Sequence, residues 1–391
     1  MLPRSCFWTA RPRSEESLLP SPPISTEGKE RFFTSFRMTI KGGEGRLYRG
    51  VGLCYPRFMK RMAEMRHGRA APVRLSESIE SRENRWLKQF RAALSGETPP
   101  HRGENSGPAG EIAGVEGARL VESALRSGVE VIAVLFSETG AKQISLLSPS
   151  IPPQARLLRT TDRLFSSVSG TETPQGIAAL VRPRGGTLDD LLGGIPLVLV
   201  LAGLQDPGNV GTLVRTAEAF GASGIAACAA GAIGTANPYA PKALRASAGS
   251  ALRLPILRGV SAPVLLAQLK VAGVRVYAAC PEDVSAGGPD RGAKRGPDRS
   301  EDRGPDRADK PALAPWKIDW RAPAALLIGN EGAGLPADLV RSADAIVRIP
   351  QAMPGLNADA AQSADSPRES LNAAIAGSIL LYEAARQRGL T

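Results

Sequence analysis

Leu201-Ala-Gly-Leu-Gln-Asp-Pro-Gly-Asn-Val-Gly-Thr-Leu-Val-Arg-Thr-Ala217 joins the end of an apolar run, Ile195 to Ala202, to an amphipathic segment. A run that is apolar at nearly every position reads as a parallel strand buried on both faces. The turn after it is rich in Gly, Asp and Asn, and the pattern predicts a helix over Val210 to Phe220. Val210, Leu213, Val214 and Ala217 form its apolar stripe. Asn209 stands where a helix N-cap is expected, since its side-chain oxygen can accept a free N–H of the first turn. Gly208, Gly211 and Arg215 share another face. Two glycines there predict a bare surface with one guanidinium beside it, suited to bidentate pairing with phosphate. The dinucleotide fingerprint G-x-G-x-x-G is missing from this turn, where Asp206-Pro207 stands, so a nicotinamide-dependent enzyme is disfavoured.

Outward from this turn the alternation continues. Strands are expected at Gly224 to Ala230, Val274 to Cys280, Ala324 to Ile328 and Ala345 to Ile349, with helices at Pro241 to Gly249 and Ser370 to Arg388. The class is α/β with a mainly parallel sheet. In such sheets ligands bind outside the carboxyl ends of the strands. Two further segments fall at strand ends: Leu326-Leu-Ile-Gly-Asn-Glu-Gly-Ala-Gly-Leu-Pro336 and Ile346-Val-Arg-Ile-Pro-Gln-Ala-Met-Pro-Gly355. Glu331 lies among three glycines and can accept a hydrogen bond or a proton. Glu369-Ser-Leu-Asn372 opens the last helix, which Ser370 or Asn372 can cap. One pocket shared by these segments is expected.

Upstream, residues 76–183 read as a smaller α/β domain. A helix is expected over Ser78 to Leu94, another over Ala118 to Ser127, and a strand over Val129 to Phe136. Residues 184–194 read as a linker into the domain 195–391. Gly-Pro-Asp-Arg recurs at 288, 296 and 304 in a stretch almost without apolar residues, so 284–312 reads as a disordered surface insert.

The 391 residues carry 49 Lys+Arg against 38 Asp+Glu, net +11. Residues 1–75 hold 15 against 6, net +9, and the remainder 34 against 32, net +2. The excess therefore sits in a tail that reads as disordered: a solvated arm, or one that touches RNA or a membrane surface. Met38, Met59, Met62 and Met65 are candidate internal starts. No run of 18 apolar residues marks a membrane span, and the first 30 residues lack a secretory apolar core. Four cysteines lie far apart without C-x-x-C, so neither a disulfide framework nor a metal site is expected, and a reducing cytoplasm fits. With only His67 and His101, both in irregular stretches, chemistry built on a histidine base is disfavoured.

Asn209-Val-Gly-Thr-Leu-Val-Arg215, Ile328-Gly-Asn-Glu-Gly-Ala-Gly-Leu335, and Ile349-Pro with Glu369-Ser-Leu-Asn372 together resemble the motifs of the SpoU (TrmH) family of RNA ribose 2′-O-methyltransferases. Pro241-Lys-Ala-Leu-Arg-Ala-Ser-Ala-Gly249 resembles the family's stretch between motifs. Gly114-Val-Glu-Gly117 and Thr173-Pro-Gln-Gly176 give residues 76–183 a looser resemblance to a ribosomal-protein-like RNA-binding domain. The resemblance implies an α/β knot, a trefoil in which the C-terminal segment threads a loop. It implies S-adenosyl-L-methionine (AdoMet) as cofactor, held by Gly329, Ile349, Leu371 and Asn372, and Arg215, Asn209 and Glu331 as catalytic residues. Arg82, Arg85, Lys88, Lys242 and Arg245 are the candidate RNA contacts. A homodimer acting on RNA is implied, ribosomal RNA ahead of transfer RNA. The rival is a non-catalytic RNA-binding protein, because the stretch Leu356 to Arg368 exceeds the few residues that the family has there.

Overall fold

The computed structural model describes residues 76–96, 111–281, 311–351 and 370–389, all within one compact unit, 71–391. The basic tail 1–75, nearly all of the repeat insert 284–312, and the stretch Leu356 to Arg368 with Glu369 lie outside the described residues.

The N-terminal elements are β1 (Glu77–Ile79), α1 (Arg85–Ser95), β2 (Ala113–Glu116), α2 (Ala118–Ser127), β3 (Glu130–Phe136), α3 (Ala141–Leu147), β4 (Arg156–Thr160), α4 (Asp162–Ser166) and β5 (Ile177–Arg182). Their strands form a sheet of order β1-β4-β3-β5-β2. The helix expected over Ser78 to Leu94 is instead a strand, a turn and a shorter helix. Ile79 is buried, and the backbone of 77–79 pairs with Leu158 to Thr160. Asn84 then caps α1, accepting from the Trp86 N–H at 2.8 Å. A distant strand partner and a local cap outweigh the helical period. The stretch 184–194, expected as a linker, contains α5 (Leu188–Leu191), closed by a Thr187–Asp190 capping box and anchored by buried Leu191.

Next come β6 (Leu197–Ala202), α6 (Pro207–Ala219), β7 (Gly224–Ala229), α7 (Pro241–Ala246), β8 (Ile256–Ser261), α8 (Ala262–Val271), β9 (Arg275–Ala279), β10 (Ala312–Leu313), β11 (Ala324–Ile328), α9 (Ala337–Ser342), β12 (Ala345–Val347) and α10 (Ala373–Gln387). The seven strands run in the order β10-β12-β9-β11-β6-β7-β8, every neighbouring pair parallel. β8 and α8 extend the alternation beyond the expected elements. β6 shows why the apolar run decides the fold: Leu197, Leu199 and Leu201 enter one core layer, while Val198, Val200 and Ala202 enter the layer on the other face. All six are fully buried. From β6 the chain moves outward to β8, returns to β9, and places β11 between β9 and β6. The carboxyl ends of β12, β9, β11 and β6 therefore lie side by side where strand order reverses, the ordinary position of a ligand site in an open parallel sheet.

The far end of this sheet is closed by one side chain. The half-buried Arg388 guanidinium donates to four carbonyls: Trp320 at 2.7 Å, Ile195 at 2.8 Å, Pro196 at 3.0 Å and Ala322 at 3.1 Å. These segments lead into β6 and β11, so the last helix is pinned to the roots of both central strands. Burial depresses the basicity of Arg388. Buried Trp320 completes the junction, donating its indole N–H to Pro315 at 2.9 Å and packing on Tyr277. Arg388→Ala strips partners from several carbonyls at once and is expected to cost about 2 kcal/mol, with Arg388→Lys restoring less than half. Thermal denaturation of the two variants checks this.

Candidate active site

α6 begins one turn earlier than the period predicts. Asp206, not Asn209, is the N-cap: its carboxylate accepts from the Gly208 N–H at 3.1 Å, and Pro207 occupies the first helical position. The Lys242 ammonium, 2.6 Å away, and the Gly208 amide hold the Asp206 carboxyl below its usual range. The correction has a chemical consequence. Relieved of capping, Asn209 points its whole amide into the site. Its Nδ2 donates to Glu331 Oε1 at 3.0 Å, and its Oδ1 accepts from Asn372 Nδ2 at 3.2 Å.

The expected bare glycine face is also corrected. Gly211 is buried, and a Cβ there would lie 2.3 Å from the Ala243 carbonyl oxygen and 2.7 Å from Ala246 Cβ. The glycine admits α7 against α6; it is not open to a ligand. Arg215, one turn further on, is exposed and among the described residues has no hydrogen-bond or ion-pair partner. Six residues of helix separate it from Asn209 by about 9 Å along the axis and about 120° around it.

The loop after β11 is folded back on itself. Asn330 and Gly334 exchange backbone hydrogen bonds of 3.1 and 3.0 Å, and Gly334 has φ +68°, the left-handed region that glycine enters without steric cost. Asn330 Oδ1 accepts from the Gly332 and Ala333 amides, both at 2.9 Å, and its Nδ2 donates to the Gly203 carbonyl at 2.9 Å. This turn holds Glu331 over the start of α6, where its carboxylate also accepts from the Gln205 and Asp206 N–H groups, both at 3.3 Å. Partial burial pushes the Glu331 carboxyl up, but the bonds from Asn209 and the backbone outweigh it, and the net shift is below the usual value of 4.5. Asn372 caps α10, accepting from the Ala374 and Ile375 N–H groups. Asn209, Glu331 and Asn372 thus form one hydrogen-bonded chain, and Arg215 stands outside it.

Behind this chain lies a cavity of about 330 Å³. Gly329, Ile349, Leu371 and Asn372 all line it, as does Glu331. Its walls are largely apolar, including Ile328, Leu335, Val347 and Leu380, and its described lining contains no Lys, Arg or His. A phosphate-bearing cofactor would find no cation among these described residues. A nucleoside with a positively charged substituent meets apolar walls, loop amides and carbonyls, and one carboxylate. Two residues not anticipated from sequence support the loops. Asn330 shapes the turn, and Thr235 Oγ1 bonds Leu201 O at 3.0 Å, Cys228 O at 2.7 Å and Gly203 N at 2.9 Å. Thr235 stands some thirty residues from the loop it staples, so no local pattern marks it.

The five candidate RNA contacts fall on two elements that pack together, α1 with the turn before it and α7. Arg82 is exposed in the turn before α1, Arg85 stacks 5.3 Å over the Trp86 ring, and Lys88 pairs with Glu83 at 2.6 Å. Lys242 is engaged by Asp206, and Arg245 lines a second cavity beside the N-terminal domain.

Comparison with known proteins bears on this arrangement. The SpoU rRNA Methylase family matches residues 196–291, and an MRM3-like substrate binding domain matches 112–179. An uncharacterized tRNA/rRNA methyltransferase of Synechocystis is 30% identical over 317 residues, covering 80% of this chain and 94% of its own. The 23S rRNA (guanosine(2553)-2′-O)-methyltransferase RlmP of Bacillus subtilis is 31% identical over 268 residues, 68% of this chain and 86% of its own. Among solved structures, an AdoMet-bound rRNA methyltransferase from Sinorhizobium meliloti superposes with a TM-score of 0.59 at 28% identity, covering 80% of this chain and 98% of the other.

Because the folded pKa of Glu331 lies below 4.5, its brace contributes above that pH and is lost as pH falls through the folded value. Glu331→Gln is expected to lower stability by no more than about 1 kcal/mol at neutral pH. The gap to the parent protein should close below the unfolded pKa of 4.5, read by melting temperatures from pH 7 to 3.5.

Proposed function

Since the chain belongs to the SpoU rRNA methylase family, we propose that it transfers a methyl group from AdoMet to a ribose 2′-hydroxyl of ribosomal RNA. The observation that carries this reading is the Glu331–Asn209–Asn372 chain, which ties the ends of three chain segments around a cavity whose described lining has no cation, while the Arg215 guanidinium has no partner among the described residues. RlmP, which shares these lengths of sequence, is named for the same bond type in the same class of RNA.

Bound AdoMet supplies an electrophilic methyl on a sulfonium leaving group. The remaining work belongs to the chain. Gly329, Ile349 and Leu371 enclose the nucleoside, and Asn372 fixes one rim of the pocket. A 2′-oxygen that takes up this methyl would have to give up its hydroxyl proton, which would pass to solvent water. A 2′-hydroxyl is a weak nucleophile, so alignment and proton removal carry the barrier. Glu331 is poorly suited to take that proton: it is held ionised, and both oxygens already accept bonds from Asn209, Gln205 and Asp206. Its part is to brace Asn209. An arginine side chain does not deprotonate in proteins, so Arg215 contributes charge and donors, clamping a phosphate beside the target ribose and orienting the hydroxyl. In this reading residues 76–183 select the RNA and 195–391 perform the chemistry. The resemblance to the family implies that 195–391 is an α/β knot whose C-terminal segment threads a loop.

The same reading makes the protein a homodimer. α10 buries one side against α6, while Ile375, Ile379 and Tyr382 on its other side are 54, 39 and 47% exposed, next to Phe220 and Thr212. An apolar face of this kind, continuous with the helix of Arg215, suits a second copy of the chain. Ile379→Asp with Tyr382→Glu is expected to give a folded monomer by sedimentation equilibrium.

Arg215→Ala tests the catalytic assignment. AdoMet binding by calorimetry should stay within about twofold, because Arg215 does not line the cavity. Methyl transfer to unmodified 23S rRNA should fall by about 100-fold or more. Loss of AdoMet binding in this variant would refute the division of labour.

A further inference from the structure

A second cavity, of about 230 Å³, lies between the N-terminal domain and α7. β2, α2 and the loop before β5 contribute Glu116, Arg119, Leu120 and Gln175, and α7 and the turn after it contribute Arg245 and Ala248. We propose that this cavity seats a backbone phosphodiester of the substrate RNA next to the nucleotide being methylated. The inference rests on the RNA methyltransferase reading and assigns part of its substrate grip to a site made by two domains.

Charge is the first argument. Most basic side chains around this junction are neutralised: Lys242 by Asp206, Arg253 by Glu218 and Arg258 by Glu111. Arg119 and Arg245 are exposed and, among the described residues, have no acceptor. They come from different domains yet line one cavity, so an anion seated there can pair with guanidiniums from both. Glu116 is turned away from that role. It is buried, and its carboxylate accepts from Ser169 Oγ at 2.5 Å, Thr171 Oγ1 at 2.8 Å and the Gly170 N–H at 2.9 Å, holding the loop behind the pocket.

Donor balance is the second. Gln175 Oε1 accepts from the Ala118 N–H at 3.0 Å, which leaves its NH2 group without a partner among the described residues. Two guanidiniums and one amide thus offer donors, and the Glu116 oxygens are already taken. The matching ligand is an anion rich in acceptors, with an apolar flank to rest on Leu120. A sugar–phosphate backbone has both properties, and guanidinium forks pair with it bidentately.

Preorganisation is the third. The two walls are locked together. Ala248 is the one non-glycine residue with positive φ among those described, at +49°, and it turns the chain so that Gly249 abuts Ser123 of α2, where a Cβ would lie 2.3 Å from Ser123 Oγ. Arg253 donates to Ser123 and, through Nε and Nη2, to Glu218 of α6 at 2.6 and 2.7 Å. A ligand here binds a finished surface and costs little ordering. The site is also close to the chemistry. Arg245 lies one turn along α7 from Lys242, which grips Asp206, the cap of the helix that carries Asn209 and Arg215.

The test measures binding of an unmodified 23S rRNA transcript to the full-length protein over a salt series. Arg119→Ala, Arg245→Ala and the double variant are compared with Arg156→Ala, which removes an equal exposed charge from β4. Each pocket variant should bind about tenfold more weakly, with the salt slope reduced by roughly 0.7–0.9 per arginine, while AdoMet affinity is unchanged. Arg156→Ala should stay within about twofold. Pocket variants that bind like the parent protein, or no better and no worse than Arg156→Ala, overturn the assignment while leaving the methyltransferase reading standing. A parent protein that binds AdoMet but no rRNA overturns both.

Discussion

The side-chain amide of Asn209 is the joint on which the site depends. It belongs to α6, it holds Glu331 from the loop after β11, and it is held by Asn372 at the start of α10. Both ends of the amide are used, so its orientation is set by two bonds of opposite sense. That is possible because Asp206 and Pro207 begin the helix one turn earlier and satisfy its first amides. Were Asn209 the cap, its oxygen would be spent on the helix and could not accept from Asn372, so the start of α10 would lose this tie to α6. The same economy recurs at Asn372, whose oxygen caps α10 while its nitrogen reaches Asn209.

Close packing supports this joint from behind. Gly211 lets α7 approach α6 to backbone contact, and Gly377 lets α10 approach Leu213 on an adjoining face of the same helix. α6 is therefore clamped between two helices, one of which carries the docking surface for the N-terminal domain. A continuous apolar layer runs from Val115 and Leu120 through Leu244 to Val210 and Leu213, so the two domains share one core layer. Glu111, Arg258 and Asn237 add a half-buried polar knot at the same boundary, with Arg258 stacked 4.8 Å over Tyr239.

Electrostatics divides the surface into regions with different tasks. The cofactor cavity contains one described carboxylate and no described cation. Among the described guanidiniums without a partner, Arg215 stands on α6 and Arg119 with Arg245 at the domain junction. On the proposed reading, a nucleoside bearing a cationic sulfonium and a polyanionic substrate would be received in different places.

Much of this was legible in the chain. The unbroken apolar run at 195–202 requires burial on both faces, and three strand-end segments then require a common edge; both follow from local pattern and the geometry of parallel sheets. The resemblance of those segments to one family named the residues of the cavity. Other features depended on partners far away in sequence. Ile79 became a strand because the backbone of Leu158 to Thr160 lay beside it, not because its neighbours lack helical period. Gly211 reads as an open surface until α7 is known to cover it. Arg119 and Arg245, 126 positions apart by their numbers, face one cavity only because Gly249 and Ser123 dock two domains. Local propensity and periodicity are properties of the chain; which side chains lose water together, and which charges are left without a partner, is decided by tertiary contact alone.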